Sequence, residues 1–155
     1  MAVASCLVAG SASATKPSSE TVSFATLTHA SCSFVPAGTE IGRTGPETSH
    51  EVDHLNQDGT VTISVVSHAS GTATDNHGNS YAFDYSNAFR VSNSVGDPGT
   101  FTGTMTDHFS LAGPNLQLSN GFIANVELFP VFHADFVNVR GDPIDANGNA
   151  HCDPL

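Results

Sequence analysis

Between Thr60 and Leu111 the chain alternates apolar and polar residues, and turn-forming residues cut the alternation at regular intervals. Val61, Ile63 and Val65 alternate with Thr60, Thr62 and Ser64; Tyr81, Phe83 and Tyr85 alternate with Ser80, Ala82 and Asp84. Phe101, Gly103 and Met105 follow the same rule against Thr100, Thr102 and Thr104. A period of two belongs to strands with one buried and one wet face. The chain is therefore read as all-β, a consecutive antiparallel meander of seven or eight strands closing into a barrel, with a β-sandwich as the alternative.

The inward rows set the packing. Thr60 to Asp75 carries Val61, Ile63, Val65, Ser67, Ala69, Gly71 and Ala73, large at one end and small at the other. The next strand, Tyr81 to Val91, offers Tyr81, Phe83, Tyr85, Asn87, Phe89 and Val91. With Asn76 to Ser80 as the hairpin loop, Phe83 faces Ala73 and Tyr85 faces Gly71. Large beside small fills a tapering interior, and an aromatic ring covers a strand glycine. Thr100 to Leu111 adds Phe101, Met105, Asp107, Phe109 and Leu111, and Leu116 to Leu128 adds Leu118, Asn120, Phe122, Ala124 and Val126. A last apolar strand runs from Phe129 to Val139, with Pro130 marking a bend or a start. Upstream, Thr21 to Val35 reads as a first strand with a bulge near Leu27. Residues 15–20 read as a flexible segment and 36–49, with two prolines and three glycines, as a long loop.

Composition limits function. Only 12% of residues are charged, and four cations (Lys16, Arg43, Arg90, Arg140) face fifteen acids, for a net charge of -11. Four scattered cations assemble no basic patch, which argues against nucleic-acid partners and anionic membranes. No segment has the ~20 consecutive apolar residues of a spanning helix. Residues 1–14 read as a truncated export signal, with Leu7 to Gly10 apolar and Ala12-Ser13-Ala14 resembling a signal-peptidase site, leaving 15–155 as one domain. Val3 to Cys6 also resembles a lipidation site. Once the signal is removed, Cys32 and Cys152 remain, and an even count in an exported chain argues for a disulfide. By loop entropy such a bridge would contribute roughly 4–5 kcal/mol.

His50-Glu51-Val52-Asp53-His54 spells H-E-x-x-H, in which two histidines one helical turn apart bind zinc and the glutamate activates water. Pro46, Ser49 and Asp58-Gly59 deny the motif a helix. On a strand His50, Val52 and His54 share one face, and the segment reads as an exposed strand edge. A metal-dependent hydrolase using His50 and His54 is thus the alternative to a non-catalytic protein, and no catalytic residue or cofactor is assigned. Arg140-Gly141-Asp142 spells a cell-adhesion tripeptide, yet Gly-Asp-Pro is ordinary turn chemistry. The Asp75 to Asn79 and Asp145 to Asn149 segments have turn spacing rather than calcium-loop spacing.

Asp107 falls on an inward row, where an ionised carboxylate requires partners. If Asp107 and Asn87 converge inside the sheet with Tyr81, Phe83, Tyr85, Phe101 and Phe109, they make a polar spot in an apolar cavity, the usual form of a small-ligand site.

The closing Gly141-Asp142-Pro143 and Cys152-Asp153-Pro154-Leu155, with Thr106-Asp107-His108-Phe109 and the Asp75-to-Tyr81 turn, resemble a group of short exported actinobacterial proteins of no assigned function. The resemblance covers roughly the C-terminal two thirds of the chain and implies export, a structural Cys152 and no catalytic residue. Together these features point to a secreted or envelope-associated domain that binds a small apolar molecule or serves a structural role.

Overall fold

The computed structural model describes residues 12–14, 17–114, 116–129 and 131–141. They form eight strand segments: β1 (Ala12–Ala14), β2 (Ser18–Thr28), β3 (Glu40–Leu55), β4 (Val61–Asp75), β5 (Ser80–Ser94), β6 (Asp97–Ala112), β7 (Gln117–Leu128) and β8 (His133–Arg140). Every pairing is antiparallel, and the sheet runs β1-β3-β4-β5-β6-β7-β8 with β2 also on β3. Because β4 occupies one side of β3, β1 and β2 lie end to end along its other side. β1 falls within the segment read as an export signal; residues 1–11 lie outside the described residues.

The alternation reports the faces correctly. Tyr81, Phe83, Tyr85, Val91, Phe109, Leu111, Leu118, Ala124 and Val126 are all buried on one face of β5, β6 and β7. That face is concave, since aromatic contacts skip strands. Phe24 on β2 meets the Phe83 and Tyr85 rings of β5 edge-on, with centroids 5.5 and 5.6 Å away. The coiled meander does not close: β2 and β8 are not paired with each other. The described strands therefore form an open, curled sheet rather than a closed barrel.

Two apolar clusters occupy opposite ends of the concave face. One gathers Leu27, Val35, Ile41, Ala69, Tyr81, Phe83, Phe109 and Leu111, and the 29–39 connection covers it by burying Cys32 and Val35. The other joins Val91, Phe122, Ala124 and Val126 to half-buried Ile63, Phe89, Phe101, Met105 and Phe136.

Four details depart from the sequence reading. The β4–β5 hairpin pairs Ala73 with Tyr81, Gly71 with Phe83 and Ala69 with Tyr85, two residues away from the expected register. Asp75 N bonds to Asn79 O, which shortens the loop to Asn76, His77 and Gly78. Gly78 takes the left-handed conformation at φ 87°. A shift of two preserves the faces, so the predicted glycine cover survives with Phe83 as the covering ring. Secondly, β2 begins at Ser18 and ends at Thr28, so it neither waits for Thr21 nor reaches Val35; its bulge lies between Phe24 and Leu27.

Thirdly, of the expected 36–49 loop only 36–39 is a turn, and 40–49 belongs to β3, a 16-residue strand. Pro46 is tolerated because the β3–β4 ladder passes from Thr44–Thr72 to Glu47–Ala69, so on that side no pair needs the missing N–H, while on the other side Pro46 stands opposite Thr21 of β2. Gly45 stands opposite Gly71 in that gap, and Phe83 lies on both. A Cβ at Gly45 would stand 2.8 Å from the Phe83 ring, and one at Gly71 2.9 Å. Finally, the last strand starts at His133 rather than at Phe129. Phe129 closes β7's turn at φ 62°.

Candidate functional site

The strand assignment decides the H-E-x-x-H segment first. It lies within β3, flanked by β1 on one side and β4 on the other, so it is an interior strand and not the exposed edge expected. His50 pairs across from Val66 and His54 from Thr62, both on the convex face, while Glu51 and Asp53 point to the other face. At about 3.3 Å per residue the two histidine positions are about 13 Å apart, too far to share an ion. Among the described residues no three His, Cys, Asp or Glu side chains are grouped to hold a metal.

The concave face between the two apolar clusters carries a row of polar residues at matching register. Ser49 stands opposite Ser67, Ser67 opposite Asn87, and Asn87 opposite Asp107, so the row crosses four strands. It is hydrogen-bonded at both ends. The Ser49 and Ser67 hydroxyls lie 2.7 Å apart, and Asn87 Nδ2 donates to Asp107 Oδ2 at 3.1 Å. Tyr85, one step toward the first cluster, donates its hydroxyl to the same oxygen at 2.9 Å.

Asp107 is only 6% exposed. Burial pushes its carboxyl above the ordinary value, against the lowering effect of the Asn87 and Tyr85 hydrogen bonds and of nearby His108. The carboxylate that caps a turn is a different one, Asp75. Asp75 accepts the His77 and Asn79 amides, Asn79 Nδ2 and the Tyr81 hydroxyl. Burial works against it, but these four bonds win and hold Asp75 down to about 2.

Over this row opens a cleft of about 310 Å³ lined by Phe24, Glu47, Ser67, Tyr85, Asn87, Phe89, Met105, Val126, Leu128 and Phe132. Its floor is the middle of β4, β5 and β6. Its sides come from the two ends of the sheet: Phe24 from β2, and Leu128 and Phe132 from around the β7–β8 turn. The cleft is thus the opening left where the sheet curls without closing. A larger depression of about 540 Å³ crosses β6, β7 and β8. Consecutive residues 119–123 line it, so it takes in both faces of β7 rather than one enclosed space.

The predicted ligand residues divide accordingly. Tyr85 and Asn87 line the cleft, and Asp107 holds both from behind. Tyr81, Phe83 and Phe109 are packed into the first apolar cluster and Phe101 against the second, so these four support the cleft without lining it. Phe89, Met105, Val126 and Leu128 carried the signal of an inward row, but only the register places them at one level. Nothing local marks Phe24, Glu47 or Phe132, which arrive from distant parts of the chain.

Arg43 was also beyond local reading. On the concave row of β3 and only 2% exposed, its guanidinium donates to the Ala25 carbonyl. It lies 5.2 Å from the Phe109 centroid and 6.0 Å from that of Phe24. The β2 bulge supplies that carbonyl, since Ala25 falls in the break of the β2–β3 register.

Cys32 is fully buried, and its expected partner Cys152 lies outside the described residues. So do Asp142 of the adhesion-like tripeptide and the Asp145 to Asn149 turn. His133 and Asp135 are exposed and bonded to each other at 3.1 Å. No helix of the described residues is long and apolar enough to cross a membrane. Comparison with protein-family models, curated proteins and solved structures finds no match for this chain.

Proposed function

We propose that this protein is an exported, non-catalytic binding domain that holds a small, largely apolar molecule in the concave cleft. The observation that carries the reading is the cleft's composition: six apolar side chains, from the middle strands and from both ends of the sheet, surround a row of hydrogen-bonded polar groups. Apolar walls with a few placed polar atoms are the usual form of a small-molecule site. On this reading the sheet is an incomplete barrel, and its open seam is where the ligand enters. Cys32 and Cys152 form the disulfide expected of an exported chain, tying the C-terminal segment to the first apolar cluster.

A neutral fluorescent probe, N-phenyl-1-naphthylamine, tests the reading. It is expected to brighten on binding with a micromolar Kd and to lose at least about tenfold in affinity in Met105→Trp, which fills the cleft. Circular dichroism of the variant is expected to be unchanged. Absence of binding, together with a native mass equal to the bare polypeptide, overturns the reading and leaves a structural role.

A further inference from the structure

The cleft's charge is one-sided. Among the described residues that line it, Glu47 is the only charged side chain. It is half-buried on the concave row of β3. Among the described residues the ion pairs are His68–Asp84 and His133–Asp135, both exposed and neither involving Glu47. The described cations are placed elsewhere. Arg43, four residues before Glu47 and thus about 13 Å along the strand, donates to Ala25. Arg90 is exposed on β5, paired with Ser64 in a convex-face row, and Arg140 ends β8.

Besides Glu47 the cleft offers four aromatic rings, Phe24, Tyr85, Phe89 and Phe132, together with the Ser67 hydroxyl and the Asn87 side chain. A carboxylate at the wall of an apolar cleft, with Glu20 of β2 opposite it and no cation beside it among the described residues, complements a positive group on an apolar body. Aromatic faces add to the attraction for a cation. The net charge of -11 draws cationic solutes toward the molecule and repels fatty acids and other organic anions.

We infer that the cleft selects a primary amine on an apolar chain or ring, with the ammonium at Glu47 and the apolar part between Phe89, Met105, Leu128 and Phe132. The inference rests on the proposed binding reading and adds the ligand's charge to it. Ser67 and Asn87 would accept the ammonium hydrogens that Glu47 does not reach, through the Ser67 hydroxyl oxygen and the Asn87 amide oxygen.

The test uses three eight-carbon probes on the full chain: octylamine, octanol and octanoate, each titrated at neutral pH with amide chemical shifts as the readout. Octylamine is expected to bind at least about tenfold tighter than octanol, and octanoate weakest. Glu47→Gln is expected to remove the preference for the amine and leave octanol binding within about twofold, with an unchanged melting temperature. Equal binding of all three probes, or an amine preference that survives Glu47→Gln, overturns the inference while the apolar site stands. Absence of shifts at the cleft residues with all three probes refutes the site itself, and with it this inference.

Discussion

Asp107 and Asp75 are two inward-facing carboxylates with opposite titration, and the difference comes from their donors. At the same residual exposure of 6%, Asp75 has four, two of them backbone amides of a tight turn, and Asp107 has two, both from side chains. For Asp75, held at about 2, the folded form binds fewer protons than the unfolded one between that value and the ordinary range. Its contribution is therefore present above the ordinary carboxylate value and lost as pH falls toward 2. Urea unfolding of wild type and Asp75→Asn is expected to show a wild-type advantage at pH 6 that shrinks between pH 4 and pH 2.

Asp107 has the reverse sign. Its raised value means that the folded state binds the extra proton, so stability declines as pH rises from the ordinary value through the folded one. Relative to Asp107→Asn, wild type is expected to gain stability on acidification from pH 7 to pH 4. Asp107→Ala, which strips the Tyr85 hydroxyl and the Asn87 amide of their acceptor, is expected to lose about 1–3 kcal/mol at pH 7.

At the scale of strands, the sensitive place is the glycine pair under Phe83. Gly71→Ala would bring a methyl 2.9 Å from both the Phe83 ring and the Thr44 carbonyl, and the carbonyl belongs to backbone that cannot swing away. A loss of about 1–3 kcal/mol is expected in urea unfolding, partly relieved by Phe83→Leu in the same chain. What the sequence disclosed follows the same division between near and far. The inward rows of β4, β5, β6 and β7 were legible because alternation is a local property of each strand. The first half of β3 was not, because Gly42, Gly45 and Pro46 imitate a loop and only the ladder's gap shows how a strand holds them. Register slipped by two because one hydrogen bond, Asp75 to Asn79, sets the hairpin's length. Arg43 read only as one of four scattered cations, since its acceptor carbonyl exists only once β2 bulges against β3.

For the whole molecule, the cleft depends on how far the sheet curls, a quantity summed over every strand twist and invisible in any single segment. Seven of its ten described lining residues were readable as inward positions; Phe24, Glu47 and Phe132 entered only with the tertiary structure. The proposed bridge belongs to this scale too. Cys32→Ala and Cys152→Ala are each expected to lower stability by about 2–5 kcal/mol under oxidising conditions, and the double variant by no more than either alone. Thermal melts with and without reductant check both points.

The polar row has a kinetic meaning as well. Ser67, Asn87 and Asp107 cut across β4, β5 and β6, which run through both apolar clusters, so each of these three strands is anchored twice with a weaker stretch between. Neighbouring strands are also neighbours in sequence, which lets each hairpin zip from its own turn. Amide hydrogen exchange should then resolve two cooperative units along single strands, the Tyr81–Tyr85 end of β5 exchanging apart from its Phe89–Val91 end. A molecule lodged across the row would staple the two units together, and their exchange rates would converge.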